Sequence, residues 1–142
     1  MKKIIVSLLA ITATAFAAGS GWLTDYDAAL AKAKETKKPV LVVFSGSDWC
    51  PPCMRLEKET LSSTEFRTAM KDGKFVPLFV DFPRTKQLPV MQQKRNNALA
   101  EKFNVTSFPT VLLLDAEGKI IGRNPPRSPA SAMLEWIAEK SK

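Results

Sequence analysis

Apolar residues are arranged in two ways along this chain: short unbroken runs bounded by glycine, proline or serine, and longer stretches where they recur every three or four positions. The unbroken runs predict strands buried on both faces, and the recurring pattern predicts amphipathic helices. Thr24 to Lys37 places Tyr26, Ala29, Leu30 and Ala33 at helical spacing, with Thr24 as the expected N-cap. Val40 to Phe44 follows as a buried strand, which Ser45-Gly46-Ser47-Asp48 breaks. Helical character resumes over Cys53 to Glu59, with Pro51 and Pro52 where a helix start tolerates missing N–H groups. Ser63 to Phe66 caps a short helix running to about Asp72. Phe75 to Phe82 predicts a second central strand, Pro83 to Pro89 a loop, and Val90 to Phe103 a helix with Val90, Met91, Ala98, Leu99 and Phe103 inward. Thr110 to Asp115 and Ile120 to Gly122 read as a hairpin around Ala116 to Lys119. The last helix starts near Ser128-Pro129, with Met133, Leu134 and Ile137 as its apolar face. The order α-β-α-α-β-α-β-β-α predicts an α/β fold with a central mixed β-sheet flanked by helices on both faces.

The first 17 residues read differently. Lys2 and Lys3 precede an apolar run from Ile4 to Ala15, and Ala15-Phe16-Ala17 supplies a small-x-small cleavage pattern. That run of about 12 residues is short beside the roughly 20 a membrane span needs. The segment is expected to be a signal peptide cleaved after Ala17, with an uncleaved anchor as the alternative. Residues 18–142 then form one domain, periplasmic or secreted and without stable membrane insertion. Loss of Lys2 and Lys3 leaves 19 basic residues against 14 acidic ones. The excess is dispersed and lacks an aromatic-interleaved basic cluster, which argues against nucleic acid. A monomer is the default.

The chain holds two cysteines, Cys50 and Cys53, and no histidine. A structural staple gains from closing a long loop, so a ring this small stabilises little, and the pair reads as a reversible redox couple. Metal binding would need further Cys or His ligands that the chain lacks. Neither a metal nor a cofactor is implied.

Trp49-Cys50-Pro51-Pro52-Cys53 after a buried strand, with Ser107-Phe108-Pro109-Thr110 opening a later one, resembles the thioredoxin superfamily over roughly Pro39 to Lys140. The run Phe44 to Cys50 is similar to secreted bacterial thioredoxin-like proteins. The resemblance implies that Pro109 is cis and lies against the dithiol, that Phe108 contacts substrate backbone, and that Trp49 belongs to the docking rim. Composition alone reads Trp49 as a packing residue and Pro109 as an ordinary trans proline. The buried aspartate and lysine of cytosolic thioredoxins align with Val43 and Pro77, so neither group is present. Glu57, four residues after Cys53, is then a candidate proton acceptor. Trp22 and Trp136 read as core or cover residues.

Thiol-disulfide exchange needs an attacking thiolate and a second thiol to resolve the mixed disulfide. Cys50 at a helix start is expected to have its pKa below the free value of about 8.5 and to act as nucleophile, with Cys53 resolving. The fold spans potentials from about −270 to −120 mV. With no histidine between the cysteines and two N–H groups lost to Pro51 and Pro52, the thiolate is weakly stabilised and the couple is expected to be reducing, below about −200 mV. The expected activity is reduction of disulfides in exported client proteins, for cytochrome c maturation or disulfide repair, with a membrane thiol reductase as electron donor. The alternatives are a disulfide oxidase or isomerase, and a redox-inert peptide-binding or chaperone module.

Overall fold

The computed structural model describes residues 21–142. The expected signal peptide lies outside them. The elements follow the predicted order: α1 (Tyr26–Thr36), β1 (Val40–Ser45), α2 (Pro51–Leu56), α3 (Thr64–Lys71), β2 (Val76–Asp81), α4 (Val90–Lys102), β3 (Thr110–Leu114), β4 (Ile120–Arg123) and α5 (Ala130–Lys140). Between α2 and α3 the helix continues as a π-helical turn over Glu57–Leu61. The strands form one mixed sheet in the order β2-β1-β3-β4, with β1 parallel to β2 and antiparallel to β3.

Strand β1 occupies the middle, and its run Val-Leu-Val-Val-Phe is buried throughout because helices cover both faces. Alternation divides it. Val40, Val42 and Phe44 join Ala29, Ala33, Leu99 and Phe103 beneath α1 and α4, whereas Leu41 and Val43 join Leu56, Phe66, Met133 and Ile137 beneath α2, α3 and α5. Each fully buried Leu or Phe contributes about 1.5–3 kcal/mol from water exclusion, so the two layers clamp β1 from both sides. That fixes the end of β1, from which the dithiol loop departs.

Two expectations change. The N-cap of α1 is Asp25, whose side chain accepts from the Ala28 N–H at 2.9 Å, so Thr24 stands one residue too early. In α4, Val90 and Met91 are exposed at 65% and 59%, and Ala98 is exposed as well. The inward row is Gln92, Asn96, Leu99 and Phe103. Buried Asn96 donates to the Asp81 carbonyl at 2.9 Å, and Gln92 donates to Asn96 Oδ1 at 2.8 Å and to the Thr24 carbonyl at 3.2 Å. Main-chain acceptors at the end of β2 and before α1 thus hold a polar row inward, because the buried Asn96 amide requires partners and these carbonyls, directly and through Gln92, supply them.

Candidate active site

At its C-terminal end β1 delivers Ser45, which is buried, and Gly46. The loop Ser47-Asp48-Trp49 then folds back, with the Gly46 carbonyl accepting from the N–H groups of Trp49 (3.3 Å) and Cys50 (3.0 Å). Glycine is required here by space: a Cβ on Gly46 would lie within 2.7 Å of the Trp49 indole nitrogen and nearer still to two ring carbons. Cys50 is the N-cap of α2, and Pro51 and Pro52 occupy its first two positions, so the helix begins two residues before Cys53. No N–H of α2 donates to the Cys50 side chain.

The thiols are free, with Cys50 5% and Cys53 1% exposed. Burial raises the pKa of Cys53, as does its neighbour Cys50, while the Gly46 N–H, donating to Cys53 Sγ at 3.4 Å, and the Ser45 hydroxyl pull it back. Those are the groups that act on the ionisation of the Cys53 thiol. Glu57 stands exposed at the start of the π-helical turn and is not among them.

Opposite the dithiol, the Phe108–Pro109 peptide is cis. The Phe108 carbonyl accepts from Cys50 Sγ at 3.7 Å. The Phe108 ring meets Trp49 edge-on (centroids 6.0 Å apart, 88°) and Phe82 at 5.0 Å. Cys50, Cys53, Trp49, Phe108 and Pro109, chosen from two distant sequence motifs, therefore come together at one end of the sheet.

The segment after β2 forms a strap beside them that the sequence did not signal. Trp49 Nε1 donates to the Phe82 carbonyl at 2.7 Å, and Ser47 binds Asp81 through its N–H (3.0 Å) and hydroxyl (2.6 Å). Asp48 accepts from the N–H groups of Arg84 and Thr85, both at 2.9 Å, and from the Thr85 hydroxyl at 2.5 Å. The Thr85 hydroxyl foremost, then the Arg84 N–H, lowers the Asp48 pKa to about 2. These partners lie more than thirty residues apart in the chain, so no local pattern announces them. A broad concavity lined in part by Trp22, Met70, Phe79 and Gln92 includes neither cysteine. Among the described residues no three metal-ligating side chains cluster.

The thioredoxin-like domain family matches residues 26–140, from α1 to the end of α5. The chain belongs to that family. Two curated relatives, both from Chlamydia pneumoniae, have names that speak to thiol chemistry. The thioredoxin-related protein DsbJ is 41% identical over 72% of this chain and 29% of its own length. The disulfide bond reductase DsbH is 36% identical over 70% of this chain and 59% of its own. This thioredoxin-like chain thus spans less than two thirds of either relative. The solved structure of a DsbH oxidoreductase superimposes with a TM-score of 0.75 at 32% identity, over 84% of this chain and 83% of that one. The fold is the thioredoxin fold, and the chain is a member of a thiol-disulfide oxidoreductase family.

Proposed function

We propose that this protein is a disulfide reductase of exported proteins, with Cys50 as nucleophile and Cys53 as resolving thiol. The observation that carries the reading is the asymmetry of the two sulfurs. Cys50, the more accessible, faces a carbonyl instead of helix N–H donors, and Cys53 is buried behind it. Helix N–H donors on the attacking sulfur favour the dithiol over the disulfide, so their absence supports a couple that gives up its electrons readily.

The exchange proceeds in two displacements. Cys50 thiolate attacks one sulfur of a client disulfide; the Cys50–client S–S bond forms, the client S–S bond breaks, and the first client sulfur leaves as thiolate. Cys53 then attacks Cys50 Sγ, its proton passing to solvent or to the departing sulfur, and the second client thiolate is released as the Cys50–Cys53 disulfide closes. Two electrons pass to the client. Trp49 and Phe108, whose rings meet edge-on, would take the client backbone beside Cys50, with Pro109 directly after the Phe108 carbonyl that Cys50 faces. Reuse of the dithiol requires an external donor. The signal-like residues 1–17 support an exported protein, and the relative named a disulfide bond reductase supports the direction of electron flow; a membrane thiol reductase is the donor such an exported protein would need.

Equilibration against glutathione buffers, read by thiol alkylation and mass shift, tests this. The couple is expected to stay oxidised until the buffer is strongly reducing, at a potential below about −200 mV. Reduction in mildly reducing buffer would identify an oxidase or isomerase instead.

A further inference from the structure

Beside the dithiol stands a cation that the exchange chemistry leaves without a role. Arg84 is exposed in the strap, and its guanidinium carbon lies 3.7 Å from the Trp49 ring centroid. Both ends of this contact are anchored. The Arg84 and Thr85 N–H groups are tied to Asp48, and the indole is tied to the Phe82 carbonyl. Arg84 rests on Trp49, the residue before Cys50, and the same indole meets the ring of Phe108, whose backbone carbonyl accepts from Cys50 Sγ.

The guanidinium is not consumed by a carboxylate. The ion pairs of the described residues are Lys34–Glu117, Lys86–Asp81 and Arg95–Asp25. Asp48 is adjacent, but its two oxygens are occupied by strap N–H groups and the Thr85 hydroxyl. A guanidinium resting on an aromatic face keeps its N–H edges, which match a carboxylate in fork geometry. Its stacking also holds the long side chain in place before any partner arrives.

We propose that Arg84 is a specificity-determining residue that selects client disulfides flanked by an acidic side chain. The proposal rests on the reductase reading. A client strand docked against Phe108 and Trp49 presents the residue beside its attacked cysteine to Arg84, so the preference acts on formation of the Cys50–client bond. Resolution by Cys53 follows unchanged, and no additional electrons or protons are involved.

The test uses the full chain in its dithiol form and two disulfide-bonded peptides that differ only in a Glu or Lys beside the attacked cysteine. At low salt the Glu peptide should react about two- to five-fold faster, the range expected of an exposed ion pair. The ratio should approach one at about 1 M salt, where the screening length is about 3 Å. Arg84→Gln should remove the preference, Arg84→Glu should reverse it, and Arg84→Lys should keep its direction at reduced size. The ratio is internal to each variant, so loss of folded protein does not alter it. Equal rates in the parent, or a preference that survives Arg84→Gln, would overturn the inference alone. Failure to reduce either peptide would overturn the reductase reading and the inference with it.

Discussion

Replacing Gly46 by alanine is the most economical perturbation of the dithiol loop. The added Cβ would sit within 2.7 Å of the Trp49 indole nitrogen. Carbon contacts relax to about 3.5–4.0 Å, so the ring must retreat by roughly 1 Å. It has little freedom to do so, being bonded to the Phe82 carbonyl, packed edge-on against Phe108 and covered by Arg84. Overpacking of this kind costs about 1–3 kcal/mol. For a domain of this size that corresponds to a melting temperature lower by roughly 3–15 °C. The loop also sets the Gly46 N–H on Cys53 and the Trp49 wall beside Cys50, so the rate of disulfide reduction should fall with stability. Gly73→Ala is the control: nothing lies within 4 Å of a Cβ there, and its cost comes only from a backbone φ of +71°. Thermal melts of the reduced protein and initial reduction rates decide the matter. The pair Gly46→Ala with Trp49→Phe should cost less than the two changes summed, because they share one contact. A Gly46→Ala protein with unchanged melting temperature and unchanged rate would refute the steric argument.

Further outcomes follow from the same contacts. Cys53→Ser should accumulate a Cys50–client mixed disulfide detectable by non-reducing mass analysis, and Cys50→Ser should form none; the reverse pattern would exchange the roles. Because burial raises the Cys53 pKa, the reduced protein should be at full stability below the ordinary thiol range and lose stability as pH rises through the raised value. The oxidised protein should not show that alkaline loss, and denaturation of both forms against pH checks it. Ser45→Ala removes one hydroxyl that favours the Cys53 thiolate, so resolution should slow at neutral pH and require more alkaline solution, with Ser45→Thr restoring it; an unshifted rate profile would remove Ser45 from the reaction. Asp48, with its pKa lowered to about 2, should hold the strap above the ordinary carboxylate range and release it as pH falls through that value. The Arg84 and Thr85 amide resonances should titrate near there, and a midpoint near pH 4 would count against the Asp48 bonds.

Much of the architecture was legible because it rests on local patterns. The unbroken run Val40 to Phe44 demanded cover on both faces, and α1, α4 and α2, α3, α5 supply it. Helix α5 shows the same agreement, since Met133 and Ile137 are buried as their spacing implied. The inward face of α4 was legible only in part: Leu99 and Phe103 are buried as expected, and the rest of the row is not what the pattern implied. Apolar spacing pointed to Val90, Met91 and Ala98, but Asn96 lies inward, where its buried amide requires a partner and the Asp81 carbonyl supplies it. Thr24 and Asp25 are both competent N-caps, and composition could not choose between neighbours.

Covalent proximity and side-chain chemistry, both present in the one-dimensional chain, established the dithiol: two cysteines on one helical turn, after a buried strand, with no histidine and no further ligand to compete. The surroundings of those sulfurs were decided only in three dimensions. Burial of Cys53, the Ser45 and Gly46 donors, the Phe108 carbonyl on Cys50 and the Asp48–Arg84 strap all join residues whose separation along the chain carries no period or motif. A hydrogen bond depends on the distance between atoms, and for residues this far apart in the chain only the packed sheet sets that distance.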